Sequence, residues 1–531
     1  MGLIKSVSTI GSLTLVSRFM GMARDILFAR YVGAGMAADA FLIAWRLPNL
    51  FRALFAEGAM AAVFVPMFNR RMTEGEADEA GTGLAAARAF AGQVLSVLLP
   101  FLIVFTAALM LLAGPIVLAM TGGFQGAPPE KYLLTRHFAV IMFPYLGLIS
   151  LVSLLGGVLN SIDRFWVNAA APILLNLSLI VALIIFHGPT PQDTAQTQAI
   201  AVTVAGVVQL LWLTLACRQA GVSLRLKLPK LTPDVKTMLL LMAPAAIGQS
   251  AIQINILVST SLAARFLSEG SPSWLYYADR LNQLPLGIIG IGVGTAILPM
   301  LSRQIASDNG VAANHTQNRA IELAMFLAMP AAVALACAGE PIIRGLLQHG
   351  AFTAGDTSAT AAVLAAFALG IPAYVLIKVL TPGFYARTDT KTPVRLALVS
   401  MLVNLAGNLI LIWPFGAMGV GIATAIAAWV NVILLYAVLH HRGHLTIEPA
   451  LVTKALRIML ASAAMGATLW FAGQWADGYM IGGFWNRLLL LSLLCGAGAM
   501  VYGLAAIAIG VYRPAELKAL LQRSPAVSKD Q

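Results

Sequence analysis

Long apolar runs separated by short polar connectors fill the chain from residue 7 to residue 511. At about 20 residues per membrane span, the runs number fourteen, near 7–29, 37–67, 85–114, 132–158, 166–187, 197–217, 237–267, 273–302, 320–348, 357–385, 394–413, 417–440, 453–475 and 484–511. The pattern predicts an all-α polytopic membrane protein of fourteen transmembrane helices. No connector is long enough to house a soluble catalytic domain, so whatever the chain does, it does within the membrane.

The first two runs break the pattern. Ser17 to Pro66 has the apolar texture of two spans yet carries Arg18, Arg24, Asp25, Asp39, Arg46, Arg52 and Glu57. A charge at the bilayer centre costs about 2.5–3.5 kcal/mol, so several arginines at that depth need a reason. Arg18 and Asp25 stand seven residues apart, on nearly one face of a helix, and Asp39 and Arg46 repeat the spacing. One reading is therefore structural pairing, with Arg46 paired to Asp39. Snorkelling to the interface suits Arg24 and Arg30 near the outer end of the first span. It does not suit Arg18, Arg46 or Arg52. Counting Arg18, Arg24, Arg46, Arg52 and Arg280 against Asp25, Asp39, Glu57 and Asp279 leaves the cations one in excess, and Lys378 adds to it. The favoured reading is a water-filled cationic cavity that receives an anion, since ionisable groups in the membrane are functional by default. Arginine's planar fork also matches phosphate oxygens.

Composition agrees. The 531 residues are 59% hydrophobic and 11% charged, with a mean hydropathy of +0.84, which excludes a soluble chain. The net charge of +12 does not point to nucleic acid, because no basic run is interleaved with aromatics. It encodes topology instead. Lys5, Arg70, Arg71, Arg164, Arg218, Arg303, Arg319, Arg387, Lys391, Arg442, Lys454 and Arg513 fall in one set of alternate connectors. The other set holds only Arg30, Lys131, Arg136, Arg265, Arg344 and Arg487. By the positive-inside rule both termini are cytoplasmic. Cys217, Cys337 and Cys495, odd in number and far apart, make neither a disulfide framework nor a metal site. Arg18 and Arg24 interrupt the first run and no cleavage pattern follows, so it reads as a retained helix and not a signal peptide.

A repeat runs through the chain. Val65 to Arg70 reads VPMFNR and Leu298 to Arg303 reads LPMLSR; Pro144 precedes Asn176 by the interval that separates Pro372 from Asn404. Two six-helix lobes in parallel orientation follow, residues 1–226 and 227–445, with the basic segment Cys217 to Lys236 as hinge. Residues 446–512 form two helices outside the repeat, and 513–531 a cytoplasmic tail. Gly287, Gly290, Gly292 and Gly294 read as helix packing and not as a nucleotide loop, since no strand precedes them. Pro48, Pro285 and Pro382 should bend their helices. Asn404 and Asn408, four residues apart, face one way; with Thr424 they form either interhelical hydrogen bonds or a candidate ion site. No phosphate-loop lysine, zinc-ligand spacing or nucleophile elbow appears, which argues against ATP coupling and against an enzyme.

Three stretches carry a resemblance. SRFMGMARD, GAGMAADAF and RLPNLFRALFAEGAMAAVFVPMF at the N-terminus, WLYYADRLNQLPLGIIGIGVGTAILPMLSR from Trp274 and LTPGFYARTDTKTPVR from Leu380 resemble the lipid II flippase MurJ (MviN) family of the multidrug/oligosaccharidyl-lipid/polysaccharide (MOP) exporter superfamily. The resemblance runs from the N-terminus to about Gly510. It implies a fourteen-helix, V-shaped MATE-like transporter of the bacterial inner membrane. Its cargo would be lipid II, the undecaprenyl-pyrophosphate-linked disaccharide-pentapeptide, moved to the outer leaflet for peptidoglycan synthesis, with cell-wall synthesis machinery as a candidate partner. It further implies that Arg18, Arg24, Arg52 and Arg280 line the cargo cavity, supported by the acids Asp25, Asp39 and Glu57, and that the last two helices form a groove for the lipid tail. Family members with a sodium site use a seventh-helix acid together with positions matching Asn404, Asn408, Val420 and Thr424. Here Thr260 stands at the acid's position and Asn408 where an acid can occur, which argues against sodium coupling and leaves the membrane potential as the expected drive. No cofactor or metal is implied. The alternatives are a MOP exporter of a drug or of another polyprenyl-linked glycan, a membrane glycosyltransferase, and a scaffold of the division machinery. A drug exporter should have a less cationic cavity, a transferase needs a catalytic acid or a large outer loop, and a scaffold would tolerate loss of the buried arginines.

Overall fold

The computed structural model describes residues 3–53, 60, 62–76, 83–124, 126–477, 479 and 482–511, without the side chains of 3–8, 75–76, 243–252, 288 and 290–296. Glu57 and the tail 513–531 lie outside the described residues. Those described form α-helices and no strand. The helices fall on the apolar runs in order. α1 (Leu3–Val32) takes the first, α2 (Met36–Arg52) and α3 (Val65–Glu76) the second, α4 (Gly83–Leu111) and α5 (Ala113–Thr121) the third, α6 (Pro129–Met142) and α7 (Pro144–Ser161) the fourth. α8 (Phe165–Ile185), α9 (Pro191–Gln219), α10 (Pro233–Phe266) and α11 (Ser271–Ala306) take one run each. α12 (Gly310–Cys337) with α13 (Gly339–Leu346), and α14 (Ala354–Ala368) with α15 (Ile371–Tyr385), take the ninth and tenth. α16 (Lys391–His441) covers two runs joined at Gly416, whose φ of 57° and ψ of −135° turn the chain where a side chain would be strained. α17 (Pro449–Asp477) and α18 (Phe484–Ala508) close the order. Among the described residues nine segments are long and apolar enough to cross a membrane. α1, α2 and α11, which carry Arg18, Arg24, Arg52 and Arg280, are not among the nine.

The repeat is carried in the helix breaks. A long helix, a short one and two of middling length run α4, α5, α6, α7, and the same series recurs as α12, α13, α14, α15. Pro144 is the first residue of α7 and Pro372 the second of α15. At such positions proline's missing N–H has no helical partner to lose.

By internal contacts the chain divides into two compact units, Met1–Tyr276 with His349–Thr353, and Tyr277–Gln348 with Ala354–Gln531. In the first, α10 packs against α2, α4 and α5. The basic connector before α10 runs along α4, where Lys227 N–H donates to Ser96 Oγ at 2.9 Å and Arg88 reaches the Ser223 carbonyl at 3.4 Å. The division therefore comes at Tyr276, past the connector that the charge pattern singles out. Arg88, a cation inside a predicted span, serves this connector.

In the second unit α17 packs on α12 and on α18. Lys454 of α17 donates to the buried Glu322 of α12 at 2.8 Å, and Tyr502 of α18 to the Phe326 carbonyl at 2.7 Å. At one end of the unit, Arg442 donates to Asp389 at 2.7 Å and Thr392 Oγ1 does so at 2.6 Å. The Arg442 hydrogen bond, with help from Thr392, holds the Asp389 carboxyl well below the usual carboxylate range. Burial lowers the nearby His444 imidazole, and the Arg387 and Arg442 charges push the same way. Both folded-state values are depressed, so both contributions to stability are present above the unfolded values and are lost as pH falls. His444 responds first, below about pH 6.5, and Asp389 only in strong acid. A ring-proton NMR titration should place the His444 midpoint below about 6.5, and Arg442→Gln should move it upward. An unmoved midpoint would mean that His444 does not feel Arg442.

Candidate functional site

Arg24 is held by hydrogen bonds from three helices. Its side chain is 13% exposed and that of Asp25 4%. Arg24 Nη2 and Nε donate to Asp25 Oδ1 at 2.6 and 3.0 Å, Nη1 to Asn176 Oδ1 on α8 at 3.0 Å, and Nη2 to the Tyr276 hydroxyl on α11 at 3.1 Å. Tyr276 in turn donates to Asp25 at 2.9 Å. Asn176 Nδ2 donates to the Ser17 carbonyl at 3.0 Å, so α8 is bonded to α1 on both sides of the cluster. The guanidinium is thus set in one orientation by α1, α8 and α11. Asp25 pairs with its sequence neighbour Arg24; Arg18 forms no ion pair among the described residues and instead lines a crevice between α1 and α8. The expected Arg18–Asp25 pair is therefore absent.

Arg52, at the end of α2, donates from Nε to Asn49 Oδ1 at 3.1 Å and lies near the buried Tyr145. Arg280 is half-buried on α11 in the second unit, beside Asp279, which accepts from Gln283 Nε2 at 2.6 Å and lies near Tyr374 of α15. Lys378 is exposed on α15, one turn from Tyr374 and one from Thr381, and pairs with no acid among the described residues. Tyr374, Lys378, Thr381 and Tyr385 lie on the accessible face of a helix that is otherwise mostly buried. A polar stripe of that kind suits water and not lipid.

Asp39 does different work from the role expected of it. Fully buried, it accepts from Lys131 Nζ of α6 at 2.7 Å, from Gly270 N–H at 2.8 Å, and from Ser273 N–H and Oγ at 3.1 and 2.6 Å. It caps the N-terminus of α11, where backbone N–H groups and the helix dipole favour an anion. These donors fill both carboxylate oxygens, so the pair expected with Arg46 does not form. The bonds of Asp39 go to Lys131 and to the start of α11, and to none of the arginines expected to line the cavity. Lys131, assigned by sequence to an outer connector, is its true partner. Taking Asp39 out of the charge count raises the excess of cations over acids from one to two.

Of the candidate ion site, Asn404, Asn408 and Thr424 come together in the second unit. Asn408 Nδ2 donates to Asn404 Oδ1 and Asn404 Nδ2 to Thr424 Oγ1, both at 3.1 Å, and Thr424 donates to the Val420 carbonyl at 2.7 Å. Interhelical hydrogen bonding thus describes the three as they stand. Thr260 belongs to the first unit and donates to the Ile256 carbonyl of its own helix at 2.8 Å. Among the described residues no group of His, Cys, Asp or Glu is arranged to hold a metal ion.

Repeated helix breaks, apolar spans and arginines seated on polar partners define a multi-pass helical membrane protein. The fold is similar to that of an inward-facing multidrug resistance MATE family transporter of the MOP superfamily, with a TM-score of 0.66 at 16% identity over 82% of this chain and 97% of the other. It is similar also to a lipid II flippase MurJ in an inward closed conformation, at TM-score 0.75 and 23% identity over 97% and 99%. A family model described as lipid II flippase MurJ matches residues 28–490. Probable lipid II flippases MurJ of Rhizobium tropici and Vibrio cholerae are 40% and 36% identical, covering 100% and 97% of this chain and 99% and 98% of their own. The chain belongs to the lipid II flippase MurJ family.

Proposed function

We propose that this protein carries lipid II from the cytoplasmic to the outer leaflet of a bacterial inner membrane by alternating access, without chemical conversion of its cargo. Membership of the MurJ family supports the cargo, and the oriented Arg24 fork is the observation that supports the site. A pyrophosphate needs fixed donors more than a bare charge. Arg24, Arg52 and Arg280 hold it in this reading, while the polyprenyl tail stays in lipid along α17 and α18. Both termini face the cytoplasm, as the Lys and Arg bias directs. The membrane potential drives the cycle. Moving about two negative charges outward through the full field is worth roughly 4–5 kcal/mol per 100 mV, and the emptied cationic site is drawn back inward by the same field. Asn404, Asn408 and Thr424 offer neutral oxygens only, so sodium is not the coupling ion here.

The test is complementation of a flippase-depleted strain, read as lipid II accessible on the outer leaflet. Arg52→Ala and Arg280→Ala should each lose export, by about tenfold or more if one charged hydrogen bond to phosphate is lost. Intact export with either would overturn the site. Collapse of the membrane potential should stop export, and continued export would remove the voltage drive.

A further inference from the structure

Arg387, in the connector between α15 and α16, is half-buried and pairs with no acid among the described residues. Its Nη1 donates to the Gly383 carbonyl at 2.8 Å, which leaves most of the five donors of the fork for a ligand. Burial lowers the guanidinium from its ordinary value, and no neighbouring carboxylate opposes it. The acid two residues on is already engaged. Asp389 accepts from Arg442 Nη1 at 2.7 Å and from Thr392 Oγ1 and N–H at 2.6 and 3.0 Å. Arg442 also lies over the Phe384 ring, 6.0 Å from its centroid. The charges of Arg387 and Arg442 both act on the His444 imidazole. Two guanidiniums and an imidazole therefore face one another, and the one carboxylate beside them is used by Arg442 and Thr392. Such a cluster calls for an anion, and arginine favours phosphate oxygens.

The adjoining helix face specifies what carries the phosphate. Lys391, Val394, Arg395, Leu398, Val399 and Leu402 share one side of the start of α16, and all are exposed. The two cations head the stripe, and its apolar part continues to Leu402, about 16 Å along the helix from Lys391. That length matches one leaflet of a hydrocarbon core about 30 Å thick. Tyr385, 43% exposed at the end of α15, stands where aromatic side chains mark the headgroup level. The Lys and Arg bias assigns this end of the helices to the cytoplasmic side, and basic clusters there recognise anionic lipid heads.

We infer that Arg387, Arg442 and His444 hold the phosphate of an anionic phospholipid whose acyl chain lies along the Val394–Leu402 stripe of α16. The site lies wholly within the second unit, and it does not depend on what the protein transports.

Binding of phosphatidylglycerol and of glycerol 3-phosphate to the purified full-length protein in detergent, measured by native mass spectrometry, tests this. Arg387→Gln should weaken phosphatidylglycerol by about tenfold or more, the cost of a lost charged hydrogen bond. Arg387→Lys keeps the charge without the fork and should weaken it less. Arg303→Gln removes an exposed cation at the end of α11 and should leave binding unchanged. Melting temperatures near that of the unaltered protein show that each variant is folded. Phosphatidylglycerol should also raise the midpoint of the His444 ring-proton titration, because a bound anion favours the imidazolium. Unchanged binding by Arg387→Gln overturns the inference. Equal weakening by Arg303→Gln does so too, since net charge and not the cluster would then attract the lipid. An unmoved His444 midpoint would place the lipid elsewhere, and glycerol 3-phosphate bound as tightly as phosphatidylglycerol would show that the α16 stripe holds no chain.

Discussion

Replacing Arg24 by alanine is expected to abolish complementation, and Arg24→Lys to fall nearly as far. The fork is held by Asp25, Asn176 and Tyr276 at 2.6–3.1 Å, so its orientation is set before cargo arrives. At least four of its five N–H groups are taken in that arrangement, so a phosphate gains two parallel hydrogen bonds by displacing Asp25. Lysine keeps the charge but presents a point and cannot give that pair. Each such bond is worth about 1.5–3 kcal/mol, about ten- to a hundredfold in affinity. Asp25→Asn separates binding from turnover. An amide oxygen can still accept from Arg24 and Tyr276, yet it no longer competes as an anion for the guanidinium. Lipid II binding should tighten by about tenfold while outer-leaflet delivery slows, because release must now proceed without the carboxylate that recaptures Arg24. Transport by Arg24→Lys at the level of the unaltered protein would show that the fork is not used. Looser binding by Asp25→Asn would show that the carboxylate organises the site and does not compete for it.

The apolar runs were legible because a membrane helix must satisfy its backbone internally and cover its length with apolar side chains. The helices fall on all of them in order, and the three-residue gap between the eleventh and twelfth runs lies at the Gly416 turn. The repeat was legible through Pro144 and Pro372, which became matching helix breaks. Asn176, read only as a repeat marker, proves to be a partner of Arg24. Pairing was not legible. Seven-residue spacing put Arg18 with Asp25 and Arg46 with Asp39, but a long arginine side chain can turn back on its neighbour, as Arg24 does on Asp25. Asp39 finds a lysine on another helix. Spacing along one helix reports which faces coincide; which helices later approach that face is decided by the tertiary fold. Thr260, which motif position grouped with Asn404 and Asn408, donates to the Ile256 carbonyl of its own helix.

Asp39→Ala is expected to be the most destabilising substitution among these charges, by about 3–5 kcal/mol, because it strands Lys131 as an uncompensated buried cation. The Lys131 side chain is 4% exposed and that of Asp39 0%, so water can rescue neither. The loss would also uncap α11 at Gly270 and Ser273, a further cost of about 1 kcal/mol. Lys131→Met should cost less. Asp39 would keep three donors, two of them backbone N–H groups at a helix N-terminus that stabilise an anion by themselves. In the double variant Asp39→Asn with Lys131→Met no buried charge remains, and much of the Asp39→Ala loss should be recovered. A double-mutant cycle built from Asp39→Asn, Lys131→Met and their combination, read as thermal stability in detergent, measures the coupling, expected at more than about 1.5 kcal/mol for two contacting charges out of water. Additive losses would mean that the carboxylate is stabilised by the α11 terminus alone and that Lys131 merely packs beside it, over the Phe124 ring at 5.0 Å. The pair ties α2 to α6 and to the start of α11, the helix that brings Tyr276 to Arg24. Failure at Asp39 should therefore reach transport through the position of α11, with cargo affinity and melting temperature falling together. Arg24→Ala leaves Asp25 with the Tyr276 hydroxyl as a donor, so affinity should fall further than the melting temperature.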